Sequence, residues 1–200
     1  MLTAYRGFDD PVRDAQTTFR AVLCALAEPA RPGPLPVCLD DIGIAPGALA
    51  VVLALADADT PLWVSPDLGP DVRDFIRFHT GASIISDPSS SALALVGSVS
   101  TLPALDQFCL GTALTPEEST TIIVVVDDFT HGAEVELDGP GYENPRRFRV
   151  AGINGARWQD FVKNHRLFPA GVDVIFVADD LVAGLPRSSR IIESTKRQVT

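Results

Sequence analysis

The residues best suited to chemistry in this chain are an arginine and a histidine two positions apart, Arg77 and His79, in the stretch RFHT. A histidine titrates near neutral pH and can serve as a general acid or base, while an arginine fork can hold a phosphate or a carboxylate. The stretch follows LGPDVRDFI, whose hydrophobic periodicity predicts a helix. His79 is therefore either a catalytic or phosphate-binding group, or the residue that closes a buried helical stripe and meets a carbonyl or the helix dipole.

Two further stretches could bind an anion. GTALTPEEST offers Thr112, Thr115 and Glu117 near an expected helix start, where free backbone N–H groups can hold a negative group. LPRSSR places Arg187 after an apolar strand, where its fork could contact a phosphate, a carboxylate or a partner protein. An ordinary capped turn and a solvated strand end would look the same, so both interpretations stay open.

The stronger signatures of catalysis are absent from the sequence. There is no P-loop, dinucleotide fingerprint, nucleophile elbow or H-E-x-x-H motif. The 3 histidines and 3 cysteines are scattered, so no metal site is expected. Pyridoxal phosphate requires a Schiff-base lysine, and the chain has only Lys163, off the apolar face of its expected helix, and Lys196, in a polar tail. We expect neither a metal nor this cofactor.

Composition narrows the class of protein. The chain has 200 residues, 46% of them hydrophobic, which indicates a single domain over residues 1–193 with a flexible tail at 194–200. The net charge of −10 disfavours nucleic acid and anionic membrane surfaces as partners. The apolar run at 44–56 is interrupted and too short to span a bilayer, and MLTAYRGFDD does not resemble a signal peptide. With an odd number of cysteines and no C-x-x-C pair, a cytoplasmic location is expected.

The elements that must position these residues follow from hydrophobic periodicity. Asp10 and Pro11 are start signals for a first helix, whose Val12, Ala15, Phe19, Val22, Leu23 and Leu26 share one face. Further helices are expected at PGALAVVLALAD, LGPDVRDFIRFH, LPALDQF and ARWQDFVKNHRLF. Strands are expected at VCL, TPLWVS, SIIS, ALALVG, TTIIVVVDDF, GVDVIFVADD and LVAGLP, with a hairpin or meander formed by AEVELDGPG and RRFRVAG.

The order of these elements predicts an α/β fold. Helices alternate with apolar strands, and the β-branched run TTIIVVVDDF is typical of a strand covered on both faces. We expect an α/β sandwich with a mixed central sheet.

Seven stretches, in this order and spacing, together resemble one known family, the H subunits of bacterial carbon–phosphorus lyase core complexes. The stretches span about residues 12–193: DAQTTFRAVLCALAEP, LALADADTPLWVS, RFHT, GTALTPEEST, LDGPG, LFPAGVDVIFV and LPRSS. Three positions depart from the family pattern. Ala30 stands where glycine is expected, Tyr142 where an aliphatic residue is expected, and Ser189 where threonine is usual.

The resemblance implies a fold and a role. The fold would be a three-layer αβα sandwich similar to the large domain of pyridoxal-dependent transferases, without the cofactor. The chain would be an accessory subunit that assembles with subunits G, I and J and forms a homodimer when isolated. With subunits G, I and L it would support formation of α-D-ribose 1-methylphosphonate 5-triphosphate from ATP and methylphosphonate, upstream of C–P bond cleavage.

No catalytic residue is implied for this subunit. Arg77, His79, Arg20 and Arg187 are the candidates for contact with an anionic ligand. The alternative is a free-standing protein that binds a phosphorylated metabolite or nucleotide in a cleft near Arg77, His79 and Thr112.

Overall fold

A seven-stranded mixed sheet, covered on both faces, forms the centre of the molecule. The computed structural model describes residues 5–36 and 39–192. Its α-helices are α1 (Pro11–Ala27), α2 (Pro46–Leu55), α3 (Pro70–Thr80) and α4 (Gly155–Arg166). Its strands are β1 (Gly33–Pro34), β2 (Pro61–Val64), β3 (Ser83–Ile85), β4 (Leu93–Val96), β5 (Thr121–Val125), β6 (Val135–Asp138), β7 (Arg146–Phe148), β8 (Asp173–Ala178), β9 (Leu181–Leu185) and β10 (Arg190–Ile192).

The strands of the large sheet run in the order β1-β9-β8-β5-β4-β2-β3. The neighbouring strands from β3 to β8 in this order are all parallel, β9 pairs antiparallel with β8, and β1 pairs antiparallel with β9. The remaining strands form a separate antiparallel sheet in the order β10-β6-β7. The expected mixed sheet and the antiparallel pairing of AEVELDGPG with RRFRVAG are thus confirmed. The strand β10 was not anticipated.

Alternating side chains of the central strands divide the interior into two cores. Ile122 and Val124 of β5 point to one face, where they pack with Trp158 and Phe161 of α4 and with residues of the small sheet. Ile123 points to the other face, which is covered by α1, α2 and α3. The expectation that TTIIVVVDDF is covered on both faces is confirmed. The layer over the face of Ile122 and Val124 combines a helix with a sheet, because the small sheet of β6, β7 and β10 packs beside α4.

The helices begin where the sequence predicts. The carboxylate of Asp10 accepts a hydrogen bond from the backbone N–H of Arg13 at 3.1 Å, which caps α1. In α3 the apolar residues Val72, Phe75 and Ile76 are buried. The helix is capped at its C-terminal end by Gly81, whose φ of 72° is a left-handed conformation that glycine adopts readily. No helix in the described part of the chain is long and apolar enough to cross a membrane.

The predicted buried face of α1 is wrong in part. The helix buries Thr18, Val22 and Ala25, whereas Val12, Phe19 and Leu23 are exposed. The apolar arc of α1 is wider than the surface that α2 and β9 cover. Periodicity gives the direction of the apolar face but not how much of it finds a partner.

Other predictions hold only in outline. LPALDQF forms a single 3₁₀ turn, Leu105–Gln107, instead of a longer helix. The expected helix start in GTALTPEEST is a three-residue 3₁₀ turn, Pro116–Glu118. Most of the strand expected at VCL, and the tail ESTKRQVT, lie outside the described residues. The strand β1 instead lies within the Pro-rich connection ARPGPLP.

Candidate functional site

The imidazole of His79 fastens the N-terminal segment to α3. Its Nε2 lies 3.0 Å from the carbonyl oxygen of Tyr5, so Nε2 donates a hydrogen bond to that carbonyl. The ring packs against Phe75 and Phe78, with ring centroids 4.4 and 4.9 Å apart. Gly7 lies so close that a Cβ added there would be 2.8 Å from Nδ1 of His79. A histidine engaged in this way has one nitrogen committed to a structural contact.

Arg77 lies on a different side of the same helix. Residues two apart on an α-helix point about 200° apart, so Arg77 and His79 do not converge. The guanidinium of Arg77 reaches Asp74 at 3.4 Å, in an ion pair whose side chains are about half exposed. An exposed pair of this kind contributes little to stability. The geometry does not build a shared anion site from RFHT.

Two of the predicted site residues, Glu117 and Arg187, come together around what we call the Arg187 junction, and Thr112 lies in the same loop as Glu117. The guanidinium of Arg187 pairs with both carboxylate oxygens of Asp173, Nε to Oδ1 at 3.1 Å and Nη2 to Oδ2 at 2.7 Å. Its Nη1 donates to the carbonyl of Pro116 at 2.7 Å. Thus one arginine joins the loop before β5, the start of β8 and the end of β9.

An open depression of about 410 Å³ lies over this junction. Its lining includes Glu117, Arg187 and the ring of Phe168, which is 58% exposed. The charge of Arg187 is already balanced by Asp173, and Glu117 adds a negative charge. The 3₁₀ turn beside them is too short to present the N-terminal end of a helix to an anion. The described residues that line the depression therefore offer a phosphate no positive charge that is not already balanced.

Thr112 closes the turn that carries this loop. Its hydroxyl accepts hydrogen bonds from the backbone N–H groups of Leu114 and Thr115, at 3.2 and 3.0 Å. The hydroxyl of Thr115 in turn donates to Glu118 at 2.9 Å. These contacts account for the turn without a ligand, and they leave the side chain of Leu114 93% exposed at its tip.

Arg20 stands apart from the other candidates, on α1. It borders a groove of about 540 Å³ between α1 and the Pro-rich edge, with Ala21, Cys24 and Pro34 among the lining residues. Arg20 has no carboxylate partner among the residues that the structure describes. The predicted residues therefore occupy three separate places, the α3 end, the Arg187 junction and the α1 groove.

Two polar clusters at the carboxyl ends of the parallel strands were not anticipated. After β2, Asp67 accepts hydrogen bonds from Ser65 and from Thr101, which follows β4. A Cβ at Gly97 would lie 2.5 Å from Oδ2 of Asp67, so this carboxylate fills the crevice between β2 and β4. Connections leave these two strands towards opposite faces, and such a crevice is where open α/β sheets commonly bind ligands. Ser65 directly after β2 and Gly97 directly after β4 were the sequence signal that could have indicated this cluster.

The second cluster follows β5. Oδ2 of Asp128 lies 2.8 Å from Nδ1 of His131. This hydrogen bond, with those from the backbone N–H groups of Thr130 and His131, holds the pKa of Asp128 far below its ordinary value. His131 is largely exposed, and the described residues contain no group of three or more potential metal ligands. The cluster is a tightly bonded turn.

Comparisons with known proteins identify the family of this chain. Residues 6–192 match the family model described as bacterial phosphonate metabolism protein (PhnH). The chain belongs to the PhnH family. It is 34% identical over 188 residues to a Rhizobium meliloti (strain 1021) protein named alpha-D-ribose 1-methylphosphonate 5-triphosphate synthase subunit PhnH, an alignment that covers 92% of this chain and 93% of the relative.

A second relative is more distant. The chain is 28% identical over 176 residues to a Stutzerimonas stutzeri protein named putative C-P lyase subunit protein HtxG, with 88% of this chain and 85% of that protein covered. The family resemblance inferred from the seven sequence stretches is thus confirmed. Three of those stretches, GTALTPEEST, LFPAGVDVIFV and LPRSS, meet at the Arg187 junction of this PhnH-family fold.

Two of the three positions expected from the sequence to depart from the family pattern contact each other. The hydroxyl of Tyr142 donates a hydrogen bond to Oγ of Ser189 at 3.1 Å, and the Tyr142 ring lies 5.7 Å from the guanidinium carbon of Arg146. The third departure, Ala30, has φ of 57°, the left-handed region in which glycine is unstrained. The tyrosine and the serine act as a pair, whereas the alanine carries local strain.

Proposed function

We propose that this PhnH-family chain is a non-catalytic accessory subunit of a carbon–phosphorus lyase core complex. The observation that carries the proposal is the match of residues 6–192 to the family, together with a relative of nearly equal length named as a synthase subunit. The reaction supported would form α-D-ribose 1-methylphosphonate 5-triphosphate from ATP and methylphosphonate. A phosphonate oxygen bonds to C1′ of the ribose, the C–N glycosidic bond breaks, and adenine leaves with the bonding electrons and takes up a proton.

The geometry of the candidate residues supports an accessory role. Nε2 of His79 is engaged with the carbonyl of Tyr5, and the charge of Arg187 is balanced by Asp173. Arg77 points away from His79 and pairs with Asp74. A catalytic centre needs a base, an anion-stabilising group and space between them. These residues do not assemble one.

Further parts of the proposal rest on the resemblance. We place the chain in the cytoplasm with subunits G, I and J as its partners, as a homodimer when isolated, and with an architecture similar to the large domain of pyridoxal-dependent transferases. No pyridoxal phosphate is proposed. In support, Lys163 lies on the surface with its side chain 72% exposed and pairs with Asp160 at 3.3 Å, while Lys196 lies outside the described residues.

Co-expression with subunits G, I and J tests the proposal. We expect the tagged chain to retain all three in fixed stoichiometry, measured by native mass spectrometry. The isolated chain should show the mass of a dimer and no conversion of ATP and methylphosphonate. Purification of the chain without these partners, or turnover by the chain alone, would contradict the proposal.

The reconstituted complex also tests the site near His79. His79→Ala and Arg77→Ala should leave the rate of ribose 1-methylphosphonate 5-triphosphate formation unchanged once assembly is matched to the wild type. A large loss of rate at equal assembly would make His79 or Arg77 a site residue of the complex. Saturable binding of ATP by the isolated chain that His79→Ala abolishes would favour the free-standing ligand-binding alternative.

A further inference from the structure

The solvent face of α1 carries apolar side chains that nothing in the described structure covers. Val12, Phe19 and Leu23 are 82%, 49% and 56% exposed. Because an α-helix turns about 100° per residue, these three side chains fall within about 40° of one another, about a third of a turn from the buried face. We call them the α1 stripe. Removing side chains of this size from water is favourable, so an uncovered row of three is a candidate contact surface.

A row of positive charge accompanies the α1 stripe. Arg13 and Arg20 lie about a quarter turn from it, on the side away from the core. Most lysines and arginines in the described residues bond to a carboxylate or to backbone carbonyls. The exceptions are Arg13, Arg20 and Arg166. In a chain of net charge −10, two of these three cations are concentrated beside one apolar stripe.

The neighbouring edge of the sheet is closed to strand addition. The N–H of Leu35 donates to Asp180 at 2.6 Å, and Gly33 pairs with Val182, so both face β9. By alternation, positions 32, 34 and 36 face outwards, and all three are prolines without an N–H. A partner at this side of the molecule is therefore held by side chains of α1, not by a backbone ladder.

We propose that the α1 stripe, with Arg13 and Arg20, is a docking face for an acidic amphipathic helix of a partner protein. Apolar residues of that helix cover the stripe, and its carboxylates pair with the two arginines, whose long stems reach over the contact. The proposal rests on the proposed function in that the partner is another subunit of the complex.

A second copy of α1 does not meet this requirement. The carboxylate of Asp14 accepts from the backbone N–H of Asp10 at 3.0 Å, and Asp10 itself caps the helix. Asp14 is half-buried, and its position in the helix places it on the side opposite the stripe. Asp14 is the one acidic residue within α1, so symmetric pairing of two α1 helices would cover the stripe but bring no carboxylate of α1 itself to Arg13 or Arg20. Charge complementarity along the helix therefore favours a different chain.

Two pairs of substitutions test this face in the co-expressed complex. Phe19→Ser with Leu23→Ser removes the apolar contact, and Arg13→Glu with Arg20→Glu reverses the charge. Both alter exposed side chains, so the fold should be retained. Matched controls are Phe78→Ser, at a phenylalanine that is 75% exposed on α3, and Arg166→Glu. We expect each pair to weaken association with subunits G, I and J about tenfold or more, and the controls to leave it unchanged.

The outcomes separate this proposal from the proposed function. Failure of the wild type to assemble would overturn the proposed function. Normal assembly by both variant pairs would overturn the docking face alone. Loss of the isolated dimer with normal assembly of the complex would show that a second copy occupies the stripe, and would also overturn the proposal.

A peptide assay gives an answer that does not depend on assembly. The probe is a synthetic helix of about 18 residues with leucines on one face and flanking glutamates, compared with the same helix carrying lysines. We expect the glutamate helix to bind the isolated chain, more weakly as salt rises, and to lose binding to Arg13→Glu with Arg20→Glu. Equal binding of both helices, or no binding of either, would contradict the proposal.

Discussion

Single side chains decide whether the Arg187 junction is a binding site or a structural clamp. The side chains of Arg187 and Asp173 are only 14% and 22% exposed, and the guanidinium also bonds to the carbonyl of Pro116. Removal of the arginine leaves a partly buried carboxylate and at least one carbonyl without a donor. We expect Arg187→Ala to lower the free energy of unfolding by about 2 to 4 kcal/mol, measured by urea denaturation.

A nearby ion pair provides the control for this prediction. Arg190 pairs with Asp138 at the same distance, 2.7 Å, but its side chain is 59% exposed. Arg190→Ala should change the unfolding free energy little, because solvent screens the pair. A small effect of Arg187→Ala as well, together with reduced binding of a phosphorylated ligand, would return Arg187 to the role of an anion-binding residue.

Ionisation of Tyr142 makes the free energy of unfolding depend on pH in the alkaline range. Burial raises the pKa of its phenol above the ordinary value of 10.0, against the lowering effect of the hydrogen bond to Ser189. The folded state therefore favours the neutral phenol. Its contribution to stability is complete below about pH 10 and is lost as the pH rises through the raised pKa, because the unfolded chain ionises first.

Replacing Tyr142 with phenylalanine isolates that contribution. The difference in unfolding free energy between the wild type and Tyr142→Phe should be constant from about pH 7 to about pH 9 and should then shift in favour of the variant. Urea unfolding across this range measures it. The same pH dependence in both proteins would show that another group is responsible.

At the scale of elements, the prolines around β1 remove the outward N–H groups that an added strand would need. Restoring outward N–H groups with Pro32→Thr and Pro34→Thr should increase concentration-dependent self-association severalfold, because an edge strand with free donors is a template for pairing. Light scattering over a concentration series measures this. Pro66→Thr, at an exposed loop proline, is the control. Unchanged scattering would mean that the outward carbonyls or the short length of β1 already prevent pairing.

Helices and strands with a continuous apolar pattern were predictable from the sequence, whereas their partners were not. The positions of α1, α3 and β5 follow from caps and periodicity, because those signals lie within a few residues of one another. The exposure of Phe19 and Leu23 depends on how far α2 extends over α1, which no local pattern encodes. Arg187 could be recognised as a fork for an anion, but its partner Asp173 becomes adjacent only when β8 and β9 pair in register.

For the molecule as a whole, the two cores lie on opposite faces of the central sheet, and we expect this arrangement to set the order of local stability. Ile122, Ile123 and Val124 of β5 are fully buried, and β5 pairs with a strand on each side. Their amide hydrogens can exchange only when both cores open, so we expect protection close to the global unfolding free energy. Native-state hydrogen exchange should show the edge strands β1 and β3 as the least protected part of the large sheet.

The same experiment tests whether the small sheet is a separate unit. Leu137 and Phe148 of β6 and β7 belong to the same core as Trp158 of α4, so the small sheet should lose protection together with α4. If it opens while β5 and the helices α1 to α3 stay protected, the surface formed by the small sheet and α4 can rearrange without disturbing α1. Exchange of β5 at the rate of β6 would contradict this order and would mean that the two cores unfold as one.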